Sequence, residues 1–101
     1  MGVQDEAVGL IPFAYESKTV NATSGGVALT SGTYDDATSA EVTLETGQIR
    51  FRMDGTNPTS SEGHLVEVGD TISLKSAAQI AAFKAIRTGA TSGVLKATYF
   101  H

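Results

Sequence analysis

The chain has 101 residues, no cysteine and no tryptophan, and carries 11 acidic against 7 basic side chains, a formal charge of −4. That length supports one hydrophobic core rather than two, and the absence of cysteine removes disulfides, thiolate metal sites and thiol catalysis together. The negative balance argues against a general binder of nucleic acid or of anionic membranes, and no apolar run is long enough to cross a bilayer as a helix.

Residues 1 to 15 read as an extended N-terminal arm, followed by a single domain over residues 16 to 101. Met1-Gly2-Val3-Gln4-Asp5-Glu6 lacks the basic start and apolar stretch of a secretory signal, so cytoplasmic synthesis is expected. In Leu10-Ile11-Pro12-Phe13 the proline removes a backbone donor and biases Ile11 toward extended geometry. Leu10, Ile11 and Phe13 are then free either to pack on their own domain or to fill a groove on a neighbouring subunit.

Thr19-Val20-Asn21 and Val27-Ala28-Leu29-Thr30 are strand-like, with Gly25-Gly26 marking a turn between them. Tyr34-Asp35-Asp36-Ala37-Thr38 reads as a polar loop. From Ala40 to Asp54 the period is two: Ala40, Val42 and Leu44 alternate with Glu41, Thr43 and Glu45, and Ile49, Phe51 and Met53 alternate with Gln48, Arg50 and Arg52. Read as a hairpin turning at Thr46-Gly47, this sets Leu44 against Ile49, Val42 against Phe51 and Glu41 against Arg52. Thr46 suits a positive φ poorly, and a turn one residue wider on each side keeps the same register.

Asp54 to Gly63 is a loop by composition, since Asp-Gly and Asn-Pro both favour turns. A loop of this size serves as a recognition surface, an inter-subunit contact or slack. Leu65-Val66-Glu67-Val68 follows His64. Gly69-Asp70 then reverses the chain before Thr71 to Lys75, where Ile72 and Leu74 point inward. Ser76 with Gln79 fits a capping box, which predicts one helical turn over 77 to 80 and then a strand from about Ala82 to Arg87. In the last strand, Val94 to Phe100, Leu95, Ala97 and Tyr99 share one face and Val94, Lys96, Thr98 and Phe100 the other. Seven or eight short strands with glycine-bearing turns predict an all-β chain, a β-sandwich with the jelly roll among its variants.

No residue pattern calls for catalysis, and no cofactor is expected. His64 and His101 have no partner at a metal-ligand spacing, and the acidic residues beside the loops lack the paired geometry of general acid-base work. No serine sits in a nucleophile elbow, and Gly25-Gly26 lacks the lysine and helix that cradle phosphate. A sugar-binding role would have to draw on Tyr15, Tyr34, Tyr99 or Phe100.

Gln48-Ile49-Arg50-Phe51-Arg52-Met53-Asp54-Gly55-Thr56-Asn57-Pro58-Thr59, continuing through Ser61, Gly63-His64-Leu65 and Gly69-Asp70, resembles the signature of small virion-associated structural proteins of tailed bacteriophages. The likeness extends through Ala85 to Gly89 and Ala97 to Phe100, mainly over residues 48 to 100, and residues 1 to 39 lie outside it. Asp54, Gly55, Thr56, Pro58, Thr59, Gly63, Gly69 and Asp70 carry it as a fold signature, with no catalytic residues attached. The resemblance implies a virion structural protein, foremost a capsid decoration or cement protein on the capsid exterior. Its implied partners are the major capsid protein and copies of itself, with a homotrimer as the expected assembly. Leu10, Ile11, Phe13, Asn57, Glu62 and Phe100 are the candidate interface residues. The alternatives are an adaptor or carbohydrate-binding module of the neck, tail or head fibre, and a bacterial adhesin-like sugar-binding domain.

Overall fold

The computed structural model describes residues 11 to 101. Among them eight strands and two short helices follow in the order β1 (Pro12–Val20), β2 (Val27–Ala28), α1 (Ser31–Tyr34), β3 (Ser39–Thr46), β4 (Ile49–Arg52), β5 (His64–Val66), β6 (Thr71–Leu74), α2 (Ala77–Ala82), β7 (Lys84–Arg87) and β8 (Gly93–Phe100). The strands form two four-stranded antiparallel sheets, ordered β1-β8-β3-β6 and β2-β7-β4-β5. The pairing is nested: β1 with β8, β2 with β7, β3 with β6 and β4 with β5. The chain thus runs as one long antiparallel ribbon whose successive pairs alternate between the sheets. Contacts of β3 with β8 and of β4 with β7 complete each sheet.

The two-residue period decides which side chains are buried. Val42 and Leu44 from β3, Ile72 and Leu74 from β6, and Leu95, Ala97 and Tyr99 from β8 meet Ile49, Phe51, Val66 and Ala85 of the second sheet in one core. Burying each large apolar side chain contributes about 1.5–3 kcal/mol, and Phe83, fully buried, stacks on Phe51 with ring centres 5.2 Å apart.

The expected hairpin over residues 40 to 54 does not form. Leu44, Val42, Ile49 and Phe51 are all buried as their alternation requires, but β3 lies in one sheet and β4 in the other. They face each other across the core instead of pairing edge to edge. Thr46-Gly47 is the link between sheets, and Gly47 has φ +69° with the Ser92 carbonyl oxygen 2.5 Å from where a Cβ would stand. The expected Glu41–Arg52 pair is likewise replaced: Glu41 accepts from the Ser73 hydroxyl across β3–β6, and Arg52 pairs with Asp54.

The Ser76 cap is present. Its Oγ accepts from the Gln79 amide at 3.1 Å, while Gln79 Oε1 reaches back to the Lys75 amide at 2.7 Å, one residue before the usual capping-box partner. The helix runs on to Ala82, beyond the single turn expected, and Ile80 sits in the core; Phe83 then turns extended and β7 begins at Lys84. Part of the expected arm is also strand, since β1 begins at Pro12 and Ile11 exchanges backbone hydrogen bonds with His101. Leu10 and the rest of the arm lie outside the described residues.

Edge strands β2, β5 and β6 are two to four residues long, and β1, with nine, is the long one. It carries Pro12, a register shift between Pro12 and Ala14, and the half-buried charges Glu16 and Lys18. These features obstruct addition of a further strand.

Candidate functional site

The outer face of the first sheet is mostly threonine, serine and charged side chains, with an aromatic corner where β1 begins and β8 ends. Ile11 is 52% exposed, Phe13 38% and Tyr15 59%, and the register shift between Pro12 and Ala14 sets Ile11 beside His101 and Tyr15 beside Thr98. Phe100, half-buried on β8, pairs in register with Pro12, and the Phe13 ring stands edge-on to His101 at 4.4 Å. An apolar cluster of this kind on a polar face marks a contact surface. Of the sequence-predicted interface residues, the structure places Ile11, Phe13 and Phe100 at this end of the first sheet, with Ile11 paired to His101 and Phe100 to Pro12, and adds Tyr15.

Beneath the corner, Glu16 holds β1 to the rest of the domain. Its Oε2 accepts from the Tyr99 hydroxyl and, at 3.1 Å, from the Thr30 amide at the start of α1; Lys18 donates to the Thr30 hydroxyl at 3.0 Å. Burial pushes the Glu16 carboxyl up, but the donors from Tyr99 and Thr30 outweigh it and hold the group below its ordinary range. Burial, reinforced by the Glu16 carboxylate, pushes the Tyr99 hydroxyl well up. Tyr99 is fully buried and is no sugar platform, while Tyr34, half-buried, packs near it with ring centres 6.0 Å apart.

On the opposite face the 54–63 loop folds back over the second sheet. Arg50 Nη1 donates to the Gly63 carbonyl at 2.9 Å and its Nε to the Ser60 carbonyl at 3.2 Å. Arg52 pairs with Asp54, whose carboxylate also accepts from the Thr56 amide at 3.2 Å in an Asx turn. Arg52 beside it holds the Asp54 carboxyl below its ordinary range. Lys84 donates to Asn57 at 3.2 Å, Pro58 is buried against Gly26, and Thr59 and Glu62 exchange backbone hydrogen bonds.

No family model, curated protein or solved structure matches the chain.

Asp54 to Gly63 and Gly69-Asp70 are turns fastened by hydrogen bonds on this geometry. Two arginines on β4, pointing away from the core, anchor the turn that follows them, and Gly63, at φ +132°, lets the chain pass the Phe51 carbonyl at a distance where a Cβ would stand 3.0 Å away. Gly69, at φ +98°, and Asp70 make the next reversal: the Gly69 amide donates to the Leu44 carbonyl at 2.8 Å and Asp70 Oδ2 accepts from the Glu67 amide at 2.9 Å. Asn57 and Glu62 are exposed in the loop, on the other sheet from Ile11, Phe13 and Phe100, so these five candidates do not form one surface.

Beside Arg52, Met53, Asp54, Glu62, Gly63 and His64 line an open depression of about 500 Å³. His64 packs against Phe51 with ring centres 5.3 Å apart. Among the described residues no group of three or more His, Asp or Glu side chains converges as a metal site would require, and no helix is long and apolar enough to cross a membrane. Sequence reasoning named Tyr15 only as one of four sugar-stacking candidates and did not single out Glu16. The alternation of Phe13 with Tyr15 was the available signal for the first, and the Glu16–Tyr99 bond joins residues too distant in sequence to leave one.

Proposed function

We propose that the protein is a structural component of a tailed-bacteriophage particle, a decoration protein on the capsid exterior that binds the major capsid protein and copies of itself and bridges neighbouring capsid subunits. The observation that carries this reading is the aromatic corner. Ile11, Phe13 and Tyr15 are exposed where the edge strand β1 begins, and that edge is protected against strand addition, which favours docking by a face over docking by an edge. Two further features support it. The tethered 54–63 loop gives Asp54, Asn57 and Gly63 structural roles in the fold. The nested strand order favours the jelly-roll variant of the sandwich, an architecture used in viral capsid domains.

The test is add-back of purified protein to particles lacking it. Phe13→Ser with Tyr15→Ser should lower particle binding by about tenfold or more, as loss of aromatic anchors does, with the fold unchanged by circular dichroism. Undiminished binding by this variant overturns the docking surface, and failure of the parent protein to bind overturns the function.

A second reading has one observation in its favour. Tyr15 lies in register with Thr98 and, through it, with Glu41 on the same outer face, an exposed ring beside polar groups as a carbohydrate site on a neck, tail or head-fibre module would need. Binding of glycans by the isolated domain, lost in Tyr15→Ala, would select it.

A further inference from the structure

At the end of the sandwich away from the aromatic corner, the 22–25 turn, the tip of the tethered loop and the turn after β7 enclose a groove of about 430 Å³. Ser24, Asn57, Thr59, Ser60, Arg87 and Thr88 supply its polar groups, and no acidic residue lines it. In a chain with 11 acidic and 7 basic residues, a groove holding an arginine and no carboxylate is a distinctive environment. Arg87 Nη1 donates to the Ser92 hydroxyl at 3.2 Å, a neutral partner, while the ion pair among the described residues is Arg52 with Asp54. Of the acids near this end, Glu67 accepts from Gln48 and Asp70 from the Glu67 amide.

The groove is held open before any ligand arrives. Arg50 fixes the Ser60 carbonyl, Lys84 fixes Asn57, the Arg87 amide donates to the Asn21 carbonyl at 3.2 Å, and Thr88 Oγ1 donates to Gln48 Oε1 at 2.7 Å. Hydroxyl and guanidinium donors without an aromatic platform suit a carboxylate better than a neutral sugar ring.

We propose that this groove receives the acidic segment Asp5-Glu6 of a second copy of the chain, with Arg87 as the carboxylate partner. Reach favours a segment from another copy. Asp5 is six residues from Ile11, which is tied to His101, so its backbone travels at most about 22 Å. Arg87 sits past the far end of β1, about 30 Å from Ile11 at roughly 3.3 Å per residue, and on the other sheet. The contact joins one end of a protomer to the opposite end of the next, a heterologous interface that closes into a ring when the rotation allows. It is a property of the isolated chain and stands apart from the virion reading.

The cysteine-free chain permits a direct test. Full-length Glu6→Cys and Ser60→Cys proteins, mixed under mild oxidation, should give a covalent dimer linked 6 to 60 between chains, in excess of the 6–6 and 60–60 products. Adding Arg87→Gln or Arg87→Glu to the Ser60→Cys protein should cut that yield by about tenfold, and 0.5 M salt should weaken it; Arg87→Glu combined with Asp5→Lys in the Glu6→Cys partner should restore it. Circular dichroism matching the parent excludes a folding defect. A yield no greater than the random products, a yield indifferent to Arg87, or a 6–60 link formed within one chain of the doubly substituted protein overturns the proposal.

Discussion

Replacing Arg50 by methionine tests whether the 54–63 loop is built into the fold or merely attached to it. The substitution keeps the aliphatic length over β4 and removes two charged hydrogen bonds, to Gly63 O at 2.9 Å and Ser60 O at 3.2 Å. Hydrogen bonds from a charged donor contribute about 1.5–3 kcal/mol where water is partly excluded. The bond to Gly63 is part-buried and the longer one to Ser60 exposed, so the first should account for most of the effect. The freed carbonyls can return to water, which places the cost near 2 kcal/mol and the fall in Tm at roughly 8–15 °C for a domain of this size. Calorimetry reads the shift, and amide exchange of Thr59 and Glu62, whose mutual hydrogen bonds the tether supports, reads the loop directly. Arg52→Met, which breaks only the exposed pair with Asp54, should shift Tm less. A Tm within about 2 °C of the parent, with Thr59 and Glu62 still protected, would refute the reasoning.

Phe83→Ala should cost about 3–5 kcal/mol, because the ring is fully buried on Phe51 and its loss leaves a cavity between the sheets; denaturant unfolding checks it, and a cost below about 1 kcal/mol would contradict the packing. Glu16 has its carboxyl held below its ordinary value of 4.5, so its contribution to stability is fully present above that pH and disappears as pH falls through the folded value. Glu16→Gln should therefore remove part of the stability loss seen on acidification below pH 4.5 in thermal scans, and an unchanged profile would count against the Glu16–Tyr99 bond. Gly47→Ala should destabilise by at least about 2 kcal/mol, since it combines a positive φ with a clash at Ser92. Gly55→Ala, with nothing near the added carbon, should cost about 1 kcal/mol; equal costs in chemical denaturation would contradict the difference.

Burial was legible from the sequence and pairing was not. Val42, Leu44, Ile49, Phe51, Ile72, Leu74, Leu95, Ala97 and Tyr99 all take the inward faces that the period of two assigns. Alternation states which face of a strand is covered but not which strand lies beside it. Two strands facing each other across a core therefore carry the same pattern as a hairpin, and the short Thr46-Gly47 link made the hairpin the natural reading. Ser76 and Gln79 announced the helix start because capping is local. Its end at Ala82 was settled by Ile80 and Phe83 reaching the core, a tertiary matter.

The candidate surfaces divide in the same way. Ile11 and Phe13 drew attention by their apolar character, whereas the Arg50 tether ends on backbone carbonyls that leave no mark in the residue pattern. The loop therefore read as a recognition surface, an inter-subunit contact or slack, and the structure fastens it to the sheet below at Asn57, Ser60 and Gly63. Ser31–Tyr34 folds as a helical turn without a side-chain cap, held against β1 by Glu16 and Lys18 from a distant part of the chain.

The most direct measurement of the central claim is a cryo-electron-microscopy map of purified phage particles carrying this protein, set against a map of particles depleted of it. The account predicts difference density on the capsid exterior, with Phe13 and Tyr15 facing the major capsid protein and more frequent particle rupture after depletion. Difference density confined to the neck, tail or a fibre, or none on the particle, would contradict it.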